Sequence, residues 1–405
     1  MESKFSNTLV KALSYILVAA LSCVVTIVLV LPTMKYYNSY VPMREPTGKV
    51  AEGADKLAEL LNIIDTAYIG DADPTLMADA AAAAMVEASG DRWSYYISAA
   101  DMQQYDSFKE NAYGGIGITI ATKDISQGMV VEWVEPNGSA QEAGILPGDI
   151  LIEAEGQSLV GMDPDAASLI IRGEEGTDVT VKVLRDGKEL TFTMERKKIE
   201  EEVAVGTLLE GDVGYIIIKN FNDRCASETI ACIESLIEQG ATKLLFDVRF
   251  NGGGYVSELV DLLDYLLPEG DLFVSEDYTG VRQTDTSNPS CLRMPMAVLM
   301  NAYTYSSAEF FAAALEEYEW AFTVGQHTVG KGNFQLTIPL SDGSAVSLSV
   351  GRYYTPIKGI WLEDVGGLAP NIPVEVDEET DAMIYYGLLD PMEDPQVLAA
   401  LEALK

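Results

Sequence analysis

Beyond about residue 205 the chain alternates between short, continuously apolar runs and segments of helical spacing: VGYIIIKNF, a helix to Glu238, KLLFDVRF, a helix to Leu267, MAVLMN, and a helix to Tyr318. Runs that are apolar on both faces must be buried on both, and strands that alternate with helices are joined by crossovers. This half of the chain therefore predicts an α/β layer architecture with some parallel strands.

The whole chain of 405 residues leaves room for two or three domains. With 26 Lys+Arg against 63 Asp+Glu the net charge is −37, which repels phosphate backbones, so no nucleic acid is expected as a partner. The 48% hydrophobic content is that of a folded chain. His327 is the single histidine, and the four cysteines form neither CxxC nor HExxH patterns. No metal site and no cofactor are expected. Cys225 and Cys232 sit seven apart in a helical segment, about 10 Å along one face, and are read as free thiols.

Residues 12–34 form a run of 23 without a charge, long enough at about 1.5 Å per residue for a bilayer core of about 30 Å. A cleaved signal would have a shorter apolar region and a small-x-small site, so an uncleaved transmembrane anchor is expected. Residues 1–11 are then a cytoplasmic tail. The remainder is extracytoplasmic, because long domains translocate largely regardless of charge, and the chain reads as a single-pass cell-membrane protein. Residues 35–52, with two prolines and no apolar period, read as a linker. Helical spacing over 56–67 and 75–88 predicts an N-terminal helical lobe, set at 53–112. Short strands with a hairpin turn at Asp186-Gly187, and helices at 139–143 and 164–171, predict a β module at 113–198. The α/β core is set at 199–375 and a C-terminal helical segment at 376–405. The fold class is thus an α+β and α/β multidomain chain.

Three segments carry chemistry. Ser306 falls where a buried strand gives way to a helix, a place that exposes a hydroxyl beside the free amides of the first helical turn. Ser306-Ser307-Ala308-Glu309 equally matches the S-x-x-E capping box, with Glu309 bonding back to Ser306. A nucleophilic serine needs a base, and both His327 and Lys331 follow it. Lys331 lies 25 residues on, between two glycines, and otherwise reads as a solvated surface lysine. As a base it must lose its charge through burial, and Gln335, four further on, would share its strand face and orient the amine without recharging it. Gly252-Gly253-Gly254, between a buried strand and a helix, offers either an oxyanion amide or a tight turn. Asp247 and Arg249 read as a structural ion pair. In the β module, Gly114, Gly115, Ile116, Gly117 and Ile118 would leave amides beside a strand edge, suited to a peptide's terminal carboxylate.

Taken together, these residues resemble the carboxyl-terminal processing peptidases, or tail-specific proteases, a family of Ser/Lys endopeptidases. The resemblance runs from about residue 56 to the end, through GDRWSYYISAADMQQY, YGGIGI, AGILPGDILIEAEGQSL, IIRGEEGTDVTVKVLR, GYIIIKNF, FDVRFNGGG, NAYTYSSAE, VGKGNFQ and YYTPIKG. It implies a PDZ-like module at 113–198 and a serine protease core at 199–375. It implies Ser306 as nucleophile, Lys331 as general base and Gln335 as the residue orienting it. The amides of Ser307 and of Gly253 or Gly254 would form the oxyanion hole, and His327 becomes a loop residue. Thr304-Tyr305, Ala308, Gly252 and Asn371 depart from the family's usual Ser-Ala, Ser, Pro and Asp. Tyr305, bulky and next to Ser306, bears on substrate preference.

The resemblance further implies that the module holds a substrate's C-terminus and gates the core, with Arg172 coupling the two, and that the N-terminal lobe and the helix PQVLAALEALK serve dimer contacts. The partners expected are protein or peptide substrates with accessible C-termini, the membrane through 12–34, and a second copy in a homodimer. The rival expectation is a catalytically inactive, membrane-tethered PDZ scaffold.

Overall fold

The structure is a computed structural model that describes residues 47–121 and 125–405. The expected tail 1–11, the anchor 12–34 and the linker up to residue 46 lie outside the described residues. Among those described, no helix is long and apolar enough to cross a membrane. The chain divides into two compact units at Ala82/Ala83. The first contains α1 (Lys49–Ala67) and the start of α2 (Pro74–Glu87). α1 begins inside the stretch expected to be linker, because Val50, Leu57, Leu61 and Ile64 recur at helical spacing and Glu52 complements the dipole in the first turn. α2 opens with Pro74 at its first position and Asp73 accepting the Thr75 N–H at 2.8 Å.

Along the second unit come β1 (Tyr95–Ile97), α3 (Met102–Glu110), β2 (Ala112–Gly115), β3 (Ile118–Ile120), β4 (Met129–Val134), α4 (Ser139–Ala143), β5 (Ile150–Ala154), β6 (Gln157–Ser158), α5 (Pro164–Ile171), β7 (Asp178–Arg185), β8 (Lys188–Glu195) and β9 (Lys197–Glu200). They continue as β10 (Ala204–Leu209), β11 (Val213–Ile218), α6 (Cys225–Glu238), β12 (Lys243–Asp247), α7 (Val256–Leu266), β13 (Asp271–Asp277), β14 (Arg282–Thr286), β15 (Met296–Met300), α8 (Ser307–Glu317), β16 (Ala321–Gly325), β17 (Asn333–Pro339), β18 (Ala345–Tyr354), α9 (Leu362–Val365), β19 (Ile372–Pro373), α10 (Glu378–Tyr385), a 3-10 turn at Pro391–Glu393 and α11 (Pro395–Ala403).

Strands β3, β4, β5, β7 and β8 form an antiparallel sheet in that order, with β6 on β5. In β7 the buried residues are Val179, Val181 and Val183, so one face meets the core while the other does not. Asp186 and Gly187 take φ of 50° and 73°, as a two-residue hairpin turn requires. Asp163 caps α5 by accepting the N–H groups of Asp165 and Ala166. Ala167 and Ile171 of that helix close over the sheet.

A second six-stranded sheet runs β10, β11, β12, β15, β16, β19, parallel from β11 onward. All five residues of β15 are buried. Met296, Val298 and Met300 face a core shared with α6, α7 and α8, whereas Ala297 and Leu299 face a second core closed by Val397, Ala400 and Leu404 at the C-terminus. Val397 and Ala400 of α11 are therefore used within the chain.

A second antiparallel sheet has β18 at its centre, paired with β1, β13 and β17. Within the stretch set as a helical lobe, 53–112, β1 adds a strand: Tyr95, Tyr96 and Ile97 register against Ser347, Val346 and Ala345 and bring the segment after α2 into this sheet. That pairing is long-range, and a three-residue strand has no period of its own to reveal it.

Candidate active site

β12 and β15 are neighbours and parallel, so the glycine loop after one and the Ser306 turn after the other emerge side by side at the carboxyl ends of the strands. Asn301 and Thr304 join them. Asn301 Oδ1 accepts the N–H of Phe250 at 3.0 Å and of Tyr303 at 3.1 Å, and the Thr304 hydroxyl donates to Val248 O at 2.8 Å. Ser306 itself has φ 60° and ψ −130°, a conformation a non-glycine residue holds only when its surroundings impose it. Its carbonyl already accepts the Phe310 N–H at 2.8 Å, but its side chain makes no cap bond. The capping-box reading is thereby corrected. Glu309 is buried and turned away, because three donors on a distant loop offer it better partners than Ser306 does.

Those donors are the Thr328 hydroxyl, the Gly330 N–H at 2.8 Å and the Lys331 N–H at 3.0 Å. Val329 N–H adds a bond to Thr304 O at 3.1 Å. The lysine loop is thus laced to the Ser306 turn and its helix. Gly332 gives close passage to the Trp361 ring, where a Cβ would collide. Lys331 is only partly exposed, and its ammonium lies 5.0 Å from the centroid of the Trp93 ring and 5.8 Å from that of Tyr305. Burial, aided by the positive charge of Lys109 and opposed by Asp91 and Glu363, pushes its pKa down to about 8. It is not the solvated surface lysine of the alternative reading.

Gln335 is placed differently from expectation. Its Nε2 donates to Ser349 Oγ at 3.1 Å and Asn333 O at 3.3 Å, not to Lys331. Lys331 lies before β17, which starts at Asn333, so the two residues are not neighbours on one strand face. His327 is exposed, with Nδ1 at 3.0 Å from the carbonyl of its neighbour Thr328.

Both candidate oxyanion glycines are steric necessities. Gly253 has φ +84°, and a Cβ on it would stand 2.7 Å from Ser306 Cβ and 2.8 Å from Ser307 N. A Cβ on Gly254 would run into the Phe221 backbone, with which this residue forms a parallel bridge. The Gly253 N–H donates to Asn251 Oδ1 at 2.8 Å, and Ser307 Oγ donates to Gly254 O at 3.2 Å. Ser307 is the first residue of α8, where the backbone N–H has no intrahelical acceptor.

The expected Asp247/Arg249 pair is present and buried, at 2.5 Å, and it is larger than a pair. Tyr215 donates to Asp247 at 2.6 Å, and Arg249 also reaches Asp394 at 2.7 Å and Gln396 at 2.9 Å from the C-terminal segment. Departure position Asn371 exchanges bonds with Thr323 and has a structural role.

Several residues escaped the sequence reading. Tyr353 is buried among Phe273 and Phe310, and its hydroxyl donates to the Lys331 carbonyl. Burial pushes its phenol well above the ordinary tyrosine range, and the nearby Ser306 side chain opposes that shift. Lys109 faces the rings of Tyr255 at 5.0 Å and Tyr105 at 5.8 Å, with its own pKa lowered by burial. Asp91, Trp93 and Ser94 come from GDRWSYY, which was legible as a marker but carried no chemistry by itself.

In the β module a small cleft is lined by Tyr113, Gly115, Ile116, Gly117, Ile118 and Arg172, facing Ser168 and Ile171 of α5. β3 pairs with β4 alone, which leaves its other edge free. Gly114 is not part of the lining. Its carbonyl accepts the Gly173 N–H at 3.0 Å, and a Cβ there would collide with Gly173. The Arg172 guanidinium lies 3.6 Å from the centroid of the Tyr113 ring and 3.5 Å from Glu201.

Residues 212–374 match the profile of peptidase family S41, and residues 130–185 that of the PDZ domain. The chain is 28% identical over 327 residues to the carboxy-terminal processing protease CtpA of Bacillus subtilis, covering 80% of this chain and 69% of that protein. It is 31% identical over 324 residues to the chloroplastic carboxyl-terminal-processing peptidase 2 of Arabidopsis thaliana, covering 76% of this chain and 62% of that one. A Bacteroides fragilis crystal structure described as an S41 protease superposes with a TM-score of 0.50 at 16% identity, over 89% of this chain and 98% of its own, a likeness of fold. The chain is a mixed α/β multidomain protein with a PDZ domain and an S41 core, and it belongs to the carboxy-terminal processing proteases, which are serine-type peptidases.

Proposed function

We propose that this chain is an endopeptidase that cleaves protein substrates near accessible C-termini, with Ser306 as nucleophile and Lys331 as general base. The observation that carries the reading is Lys331 itself: a half-buried lysine, titrating near 8, on a loop bonded to the helix that begins at Ser306. At pH 7 about a tenth of such a lysine is neutral, against about 0.04% at the ordinary pKa. Ser306 Oγ attacks the scissile carbonyl as its proton passes to Lys331 Nζ, and the same proton then goes to the leaving amine. Water, deprotonated by Lys331, hydrolyses the ester. The Ser307 amide stabilises the oxyanion. Gly254 is the better second donor, because the Gly253 N–H is engaged by Asn251.

In this reading the PDZ cleft takes the substrate's C-terminus as a strand along β3, and apolar Ile118 and Ile120 favour an apolar terminal side chain. Arg172, stacked on Tyr113 and paired with Glu201, couples the occupied cleft to the core. Residues 12–34 anchor the chain in the cell membrane, with the catalytic part extracytoplasmic. A homodimer would use the N-terminal helices, where Val50, Leu60 and Ile63 are more than half exposed. The tethered, inactive scaffold is disfavoured by the retained serine and lysine.

The test is cleavage of an unfolded protein by the full chain in detergent, beside Ser306→Ala and His327→Ala, with mass spectrometry of the fragments. Loss with Ser306→Ala but not His327→Ala, and cuts clustered toward the C-terminus, support the reading. Equal loss with His327→Ala in a folded protein would make histidine the base. Extraction from membranes by detergent but not by carbonate tests the anchor.

A further inference from the structure

We infer that Trp93, stacked on Tyr305, is a positioning residue for Lys331, its ring face packing against the amine. This rests on the Ser306/Lys331 reading and goes beyond it, since it makes the segment after α2 part of the active site.

The geometry runs from the segment to the amine. The two rings are stacked, with centroids 5.7 Å apart and planes 29° apart, and the lysine ammonium lies within reach of both. Trp93 is held by its own turn: Asp91 Oδ1 accepts the Trp93 N–H at 3.1 Å, and Asp91 Oδ2 accepts the Ser94 hydroxyl at 2.5 Å. Ser94 Oγ accepts the Ser349 N–H at 3.0 Å, which ties the turn to β18. Ser349 Oγ in turn engages Gln335. Gln335 Nε2 is thereby part of the chain of bonds that reaches the Trp93 segment. Tyr305 is braced from the other side, its hydroxyl against Gly252, where a Cβ would come to 2.6 Å.

The indole edge supports the ring face as the reason for this placement. Its Nε1 is buried and has no hydrogen-bond partner among the described residues, so the ring is not sited to satisfy its N–H. An aromatic face fixes the amine by packing, and its cation–π attraction favours the charged form less than a carboxylate would. It also excludes water, which favours the neutral base. The charged groups around the lysine and the indole are Asp91 and Arg92 on the same segment, with Arg92 4.3 Å from the ring centroid, Lys109 on α3, and Glu363 on α9.

The test compares Trp93→Ala, Trp93→Phe and Lys331→Ala in the full chain, reading kcat and KM on a peptide substrate and the pH profile of kcat/KM. The expected result for Trp93→Ala is a 10- to 100-fold lower kcat, KM within about twofold, and an ascending limb displaced to higher pH as water reaches the lysine. Trp93→Phe keeps the face, loses only the unpaired N–H, and restores both. Trp93→Ala with the wild-type kcat and limb, while Lys331→Ala is inactive, overturns this inference and leaves the dyad standing. An active Lys331→Ala overturns the dyad itself, and this inference with it. Should Trp93→Ala fail to fold, Tyr305→Ala removes the other ring: a displaced limb supports the assignment and an unmoved one overturns it.

Discussion

Glu309, three residues after Ser306, accepts the backbone N–H of Lys331 at 3.0 Å and that of Gly330 at 2.8 Å. One buried carboxylate thus sets the distance between the helix that starts at the nucleophile and the loop that carries the amine. It also accepts the Thr328 hydroxyl, so both its oxygens are engaged by donors only.

Glu309→Gln should therefore be harmful despite its near-identical shape. An amide nitrogen would face a backbone N–H, leaving two donors opposed in a buried place. A loss of about 1–3 kcal/mol in stability is expected from the unsatisfied donors. A fall in kcat of at least tenfold should accompany it, measured by urea unfolding and peptide cleavage. Wild-type kcat in the folded Glu309→Gln variant would show that the clamp does not set the dyad.

Activity should rise with pH. The base must be neutral and Lys331 is pushed down to about 8, so kcat/KM should fall about tenfold per unit below that value and level off above it. A pH profile of the folded enzyme, with Ser306→Ala as background, measures it. A limb that disappears in His327→Ala and persists in Lys331→Met would point to the histidine instead.

The second buried lysine should tune the first. Lys109 carries a positive charge that helps lower the Lys331 pKa. Lys109→Met removes it, and the ascending limb should move toward higher pH while KM changes little. A limb that stays in place would mean that burial alone depresses Lys331.

Lys331→Met should abolish cleavage yet stabilise the fold near neutral pH. A lysine whose folded pKa is depressed costs stability fully below that folded value, about 8, and the cost disappears as pH rises past the ordinary value near 10.5. The gain on removing it, on the order of 1–3 kcal/mol at pH 7, should vanish at pH 11. Thermal melts at the two pH values check the sign.

Asp394→Asn should reach the active site from the C-terminus. Asp394 pairs with buried Arg249 at 2.7 Å and caps α11 through the N–H of Gln396 at 2.8 Å. Arg249 keeps Asp247, so the expected loss is about 2 kcal/mol, less than that of a fully broken buried pair. Cleavage should fall at a lower temperature than in wild type, because the loop 249–254 begins at this arginine.

Much of the site was legible because its parts are local. The positions of Ser306 after β15, of the glycines after β12 and of the ends of α6, α7 and α8 follow from runs of apolar residues and where they stop. The bond of Gln335 to Ser349 was not legible, because it joins β17 to the neighbouring strand β18 and spacing along one strand does not reveal a cross-strand partner. Glu309 was read as a cap because the capping-box spacing holds in the sequence, while its true donors lie on another loop.

By itself the sequence determined the alternation of strands and helices, the strand-to-helix turn at Ser306 and the glycine passage at Gly253, since each depends on neighbours a few residues apart. Only the tertiary structure decided what surrounds the lysine. Trp93, Lys109, Tyr353 and Asp394 arrive from far along the chain, through β1 on β18, α3 beside the glycine loop, β18 itself and α11 on the sheet. Desolvation and charge at Lys331 depend on distances in space, and periodicity in a sequence encodes only which face of its own element a residue takes.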